Sequence, residues 1–248
     1  MKKALLVYGI TYIALLLLVF GLLFAVPKLE LHLLLNSWHT AIQDTFFKFY
    51  STLAEWPLYV VALLPLFWKK YRITIFFALS ELTAGGILQI LKHTISSDRP
   101  ISAFESCGEV SFPIVEGVCL HHSNSFPSGH ASTFFVFFTC CALLLEHQFK
   151  LKNKQDNHSA WFVVIMSMVM LMFLVLAALG AYSRIYLSQH FLSDVCVGSI
   201  IGVITPCLFF YFGRDKILGT QNKDAALNEV TVTHDDEQQP NESNSSNT

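Results

Sequence analysis

A polytopic all-α membrane bundle of about six transmembrane helices is the fold this chain predicts, and two observations predict it. Hydrophobic residues make up 53% of the 248, charged residues only 14%, and the mean hydropathy is +0.50, which is too apolar for an ordinary soluble domain. That apolar content is also gathered into runs that approach or exceed the roughly 20 residues one helical crossing requires. The formal charge of −2 is unevenly spread. Seven acids (Asp215, Asp224, Glu229, Asp235, Asp236, Glu237, Glu242) lie in the last 34 residues, so the rest of the chain is mildly basic. There is no basic arm, RNA-binding aromatic signature or zinc-type Cys/His spacing, which argues against a nucleic-acid partner.

Ala4 to Val26 is an apolar run behind Lys2-Lys3. Its core is too long for a cleaved signal peptide and no A-x-A-like site follows, so it is expected to stay as the first span. Residues 1–34 are thus expected to hold this helix and its connection. From Leu29 to Trp56, Leu and Phe alternate with His32, His39, Asp44 and Lys48, a mixture that suits an interfacial or partly re-entrant helix. Five more spans are expected at Pro57–Trp68, Ile73–Leu91, Ala131–Leu145, Trp161–Tyr182 and Phe191–Phe212. Residues 35–212 would form the membrane domain, and residues 213–248 a polar cytoplasmic tail with almost nothing to bury. Lys2-Lys3, the Lys69-Lys70-Tyr71-Arg72 turn, Lys150/Lys152/Lys154 and Arg214/Lys216 fall on one side of these spans, the cytoplasmic side by the positive-inside rule. The opposite ends of the spans then share the outer face, a periplasm or an endomembrane lumen; a bacterial inner membrane with a periplasmic site is the expectation.

Three short motifs sit at those outer ends: Lys92…Arg99-Pro100, Pro127-Ser128-Gly129-His130, and Ser183-Arg184…His190…Asp194. A lone Lys92 or Arg99 at a helix end also serves as a plain interfacial anchor. Ser128 suits an N-cap and Gly129 allows close approach of a ligand, so the helix that follows presents N–H groups and a positive dipole end to an anion. His190 and Asp194, at i and i+4, share a helix face. Asp194 accepting from one imidazole nitrogen would leave the other free to attack phosphorus, although a satisfied His–Asp pair can also simply cap a helix. Ionised groups at the bilayer centre cost roughly 2.5–3.5 kcal/mol each on insertion scales, which places these charges near the interface.

Taken together, these eleven residues resemble the signature of the type 2 phosphatidic acid phosphatase superfamily, and the match is complete at Lys92-x6-Arg99-Pro100, Pro127-Ser128-Gly129-His130 and Ser183-Arg184-x5-His190-x3-Asp194. The resemblance covers roughly Leu35 to Phe212. It implies that His190 is a nucleophile forming a phosphohistidine, that Asp194 orients it, and that His130 protonates the leaving oxygen and then activates water. It implies that Lys92, Arg99 and Arg184, with Ser128 and the Gly129 amide, hold the phosphoryl oxygens. No metal or other cofactor is implied, and Asp98, Glu105, Glu109 and Glu116 read as solvated loop residues. The expected substrate is the phosphate or diphosphate head of a lipid: polyprenyl diphosphate, phosphatidate, phosphatidylglycerophosphate or lipid A. Two alternatives stand beside it. One is a phosphatase for a small soluble phosphomonoester, as the soluble vanadium-haloperoxidase relatives suggest; the other is a non-hydrolytic lipid-phosphate binding or transport protein, which would not need His130 or the His190–Asp194 pair. Oligomeric state cannot be read from the chain. Cys107 and Cys119, in the insert from Ile101 to Phe126, could pair in an oxidising compartment, whereas Cys140, Cys141, Cys196 and Cys207 read as small core residues. His121, His122 and His147 read as loop or interface residues.

Overall fold

The computed structural model describes residues 2–55, 57–60, 63–64, 70–108, 113–152 and 160–218. Its elements in order are α1 (Lys2–Ala25), α2 (Lys28–Leu35), α3 (Ala41–Thr52), α4 (Tyr71–Thr94), α5 (Pro100–Ser106), α6 (Gly129–Lys152), α7 (Ala160–Tyr186) and α8 (Leu192–Ile217). Among the described residues, α1, α4, α6, α7 and α8 are long and apolar enough to cross a membrane. Residues 57–60 and 63–64 are helical, and the rest of the expected Pro57–Trp68 span lies outside the described residues, as does the tail beyond residue 218. The chain is an all-helical integral membrane protein.

The long helices run past their apolar windows, so that Lys92, Arg184 and His130 all lie inside helices; backbone hydrogen bonding continues where side-chain hydropathy stops. The expected interfacial segment Leu29–Trp56 is two helices, α2 and α3, because Asn36–Thr40 breaks the pattern and Thr40 starts afresh as an N-cap, its Oγ1 accepting from Gln43 N at 3.2 Å. Pro100 at the start of α5 holds Arg99 extended at φ −80°, ψ 164°.

The central helix is α6, 72% of whose most apolar window is buried, against 11% for α1. Lipid offers no hydrophobic incentive for helices to associate, so close packing must hold them. Small residues supply it. A Cβ built on Gly202 would lie 2.6 Å from Ser132 O and 2.7 Å from Phe135 Cβ, and one on Gly198 would strike Ser128 O. These two glycines, four residues apart, let α8 lie directly against the first turns of α6. Gly180 of α7 likewise receives the Phe134 ring of α6, which also stacks on Tyr50 of α3 at 5.1 Å. The consequence is that the ends of three spans meet at one point. Outward-facing Leu6, Leu17, Trp161, Met168 and Phe212 remain exposed and form the lipid-facing surface.

Cys140 and Cys196 are buried in the core, while Cys107 and Cys119 are exposed free thiols. His121 and His122 are exposed, but His147 is not the interface residue expected: it is buried on α6, with its ring 5.9 Å from that of Phe210.

Candidate active site

The three motifs converge at one end of the bundle. Lys92 lies in the last turn of α4, Arg99 just before α5, Gly129 and His130 in the first turn of α6, Arg184 in the last turn of α7, and Asp194 in the first turn of α8. His190 occupies the short connection from α7 to α8. Backbone hydrogen bonds tie the motifs together: Ser128 N donates to Asp194 O at 3.0 Å, and Gln189 N and His190 N both donate to Arg184 O, at 2.9 and 3.1 Å.

The three cations lie close enough for their charges to act on one another and on His130. Arg99 donates through Nε to Ser123 O at 2.9 Å and through Nη1 to Gln189 O and Oε1, both at 3.1 Å. Arg184 Nη1 donates to Ser51 Oγ at 2.5 Å, while its Nε is buried with no hydrogen-bond acceptor. Lys92 feels the charges of both arginines, and His130 those of all three cations and of His190. Among the described residues, none of Lys92, Arg99 and Arg184 forms an ion pair with a carboxylate. Asp194 acts on Lys92 and Arg99, and Glu55 on Arg184, without an ion pair among the described residues, so the three like charges favour an anion between them. Space over Gly129 is open, and the first turn of α6 has N–H groups with no carbonyl one turn back to bond. Ser128 is fully buried and caps α6, its Oγ accepting from Ala131 N at 3.4 Å.

His190 is 2% exposed and Asp194 1%. Their contact is looser than the spacing predicts: Nδ1 of His190 lies 3.7 Å from Asp194 Oδ2, beyond a direct hydrogen bond. Ser125 bridges them, donating to Asp194 Oδ2 at 2.5 Å with its Oγ 3.4 Å from His190 Nδ1. Asp194 Oδ2 also accepts from Phe191 N at 3.0 Å and Oδ1 from Ser193 Oγ at 3.0 Å, which fixes the carboxylate at the start of α8. Both polar neighbours sit on Nδ1, so Nε2 is the nitrogen left for chemistry. His130 Nε2 faces Glu55 Oε1 at 4.0 Å.

Burial holds His190 down at about 4, against the opposing pull of Asp194, and holds buried His32 at about 4 as well. Both imidazoles are therefore neutral near pH 7, as a nucleophile or a core residue requires. The unfolded chain takes up these protons near 6.5 and the folded chain only near 4. Stability is therefore complete above pH 6.5 and is lost as pH falls from 6.5 toward 4, by on the order of 3 kcal/mol per histidine. The melting temperature of detergent-solubilised protein is expected to be flat above neutrality and to drop over that acid range, with a shallower drop for His32→Gln. An acid-insensitive melting temperature would contradict the buried neutral state.

Sequence reasoning missed Ser125, Gln189, Ser51 and Glu55, all of which touch site residues. Asp98 and Glu116 are exposed loop residues; Glu105 is exposed too but lies in helix α5 rather than in a loop, and Glu109 lies outside the described residues.

No curated protein matches the chain. Two solved structures share its fold. One is LpxE of Aquifex aeolicus, 22% identical, with a TM-score of 0.57 over 75% of this chain and 95% of that one. The other is a transmembrane PAP2-type phosphatidylglycerolphosphate phosphatase of Bacillus subtilis, 19% identical, with a TM-score of 0.53 over 87% of this chain and 98% of that one. The model of the PAP2 superfamily matches residues 73–218, a stretch that contains all eleven motif residues. On that match the chain belongs to the PAP2 superfamily.

Proposed function

We propose that the chain is a membrane phosphatase that hydrolyses the phosphate or diphosphate head of a lipid through a phosphohistidine at His190. The observation that carries this reading is the juxtaposition of a neutral, oriented imidazole with three cations that form no ion pair with a carboxylate among the described residues. In the first step Nε2 of His190 forms a bond to phosphorus as the bond to the lipid oxygen breaks, and His130, entering the step as the imidazolium with its charge offset by the bound phosphate, delivers its proton to that oxygen. In the second step water attacks the phosphorus, His130 takes its proton, and the P–N bond breaks to release inorganic phosphate and restore neutral His190. Lys92, Arg99, Arg184 and the first amides of α6 hold the phosphoryl oxygens throughout, where charge is greatest.

The membrane-embedded fold supports a lipid over a soluble substrate, and the likeness to a phosphatidylglycerolphosphate phosphatase supports phosphorylated glycerolipids as a first class to assay. The Lys/Arg distribution supports a site on the outer face, the periplasmic side of a bacterial inner membrane. With the cations supplying the electrostatic stabilisation, phosphate release from lipid phosphates is expected to persist in excess chelator, with a kcat/KM far above that for a soluble sugar phosphate. Purified protein assayed across phosphatidate, phosphatidylglycerophosphate, polyprenyl diphosphate, lipid A and a sugar phosphate checks this. Release from the sugar phosphate alone, or activity abolished by chelator and restored by Mg²⁺, would reject the reading.

A further inference from the structure

The residues matched to the family begin at 73, yet part of the chain before them reaches the segment that carries His190. Ser188, two residues ahead of His190, is 2% exposed and left-handed at φ 52°, a backbone state that a non-glycine residue adopts only when its surroundings hold it there. Its hydroxyl accepts a hydrogen bond from Nδ2 of Asn36, at the end of α2, and lies 3.4 Å from Nε2 of His32. Asn36 is fully buried. Its Oδ1 faces His39 Nε2 at 2.5 Å, His39 Nδ1 faces Asp44 Oδ1 at 2.9 Å, and Tyr186 donates to that same oxygen at 2.5 Å. The His39 ring also stacks on Tyr186, with centroids 4.1 Å apart. Tyr186 stands two residues before Ser188, so the chain of contacts closes on itself: Ser188, Asn36, His39, Asp44, Tyr186 and back.

Buried polar side chains are retained only when satisfied, and a fully satisfied network fixes one geometry. This one grips the end of α7 at two points, four and two residues ahead of His190. Gln189, between Ser188 and His190, is gripped separately by Arg99 and by Cys119, whose carbonyl accepts from its Nε2 at 3.0 Å. Tyr186, Ser188 and Gln189, on the approach to the imidazole, are therefore each held by groups from elsewhere in the fold.

We propose that Asn36 is a positioning residue for the reaction: acting through Ser188, it holds the His190 ring in line with the phosphate. The inference rests on the reading of His190 as nucleophile. A misplacement of about 1 Å at a reacting group lowers rate by around a hundredfold, so the effect should fall on kcat.

The test uses the full-length protein in four forms, Asn36→Ala, Ser188→Gly, the double variant and His190→Ala, each checked for insertion and melting temperature. Ser188→Gly removes the hydroxymethyl group at a φ that glycine adopts freely, so it carries the test alone should Asn36→Ala fail to insert. Each single variant is expected to lose about tenfold to a hundredfold in kcat with KM changed less than about threefold. The double variant is expected to lose no more than the worse single one, because both act on one contact. Asn36→Asp, which keeps an acceptor for His39 and can accept from the Ser188 hydroxyl, should recover most of the rate. Wild-type kcat in Ser188→Gly, or losses that multiply in the double variant, would overturn the proposal while His190→Ala remains inactive. Phosphate release that survives His190→Ala would instead overturn the phosphohistidine reading and this inference with it.

Discussion

A His190→Ala protein, inserted and folded normally, is expected to release no phosphate above the uncatalysed rate. Ser125 and Asp194 occupy the Nδ1 side of His190 and leave Nε2 for the proposed attack, and burial keeps the ring neutral. His130 faces Glu55 at 4.0 Å at the start of α6, and its proposed part is proton transfer. Losing a member of a covalent mechanism typically removes about 10⁴-fold or more of the rate. Asp194→Asn and Ser125→Ala should cost less, since each loosens the ring without removing it. Steady-state phosphate release at equal membrane abundance measures all three, and wild-type turnover in His190→Ala would end the assignment.

Arg184→Met is expected to separate activity from stability. Arg184 spends one nitrogen on Ser51 and leaves Nε buried without an acceptor, between the repulsion of Arg99 and the attraction of Glu55, with no ion pair to a carboxylate among the described residues. A half-buried guanidinium with one nitrogen unsatisfied is unfavourable until an anion arrives. Replacing it with an apolar side chain of similar length should leave the melting temperature of the unliganded protein unchanged or higher. Turnover should fall about 10²–10³-fold, the usual effect of deleting one charge-stabilising contact in a transition state. Arg184→Lys should fall between, because an ammonium keeps the charge but not the forked donor geometry. Vanadate, a mimic of five-coordinate phosphorus, should raise the wild-type melting temperature by mass action and leave that of Arg184→Met unmoved. A large loss of stability in Arg184→Met would show that the guanidinium serves the fold.

The legible parts of the sequence were those with a local signature. Apolar runs announced α1, α4, α6, α7 and α8, and the motif residues stood at their ends because charge is tolerated only there. What was not legible depends on contacts across the chain. Ser51 meets Arg184 from 133 positions away and Asn36 meets Ser188 from 152, and a single Ser or Asn in a polar connection carries no periodicity to mark it. The division of Leu29–Trp56 into α2 and α3 was hidden for a related reason: Thr40 caps by one side-chain hydrogen bond, while hydropathy averages across it. The i, i+4 spacing of His190 and Asp194 correctly gave a shared location but suggested direct bonding. His190 precedes the helix, so the ring sits off the ideal face and Ser125 fills the gap.

The central claim is covalent chemistry at His190, and the most direct measurement of it is rapid-quench trapping of the enzyme during turnover of a lipid substrate radiolabelled in its phosphate. Wild-type protein should carry label that is acid-labile and base-stable, in a peptide containing His190, formed and consumed no more slowly than turnover. Label in any other peptide, or turnover proceeding with no labelled protein at any quench time, would contradict it.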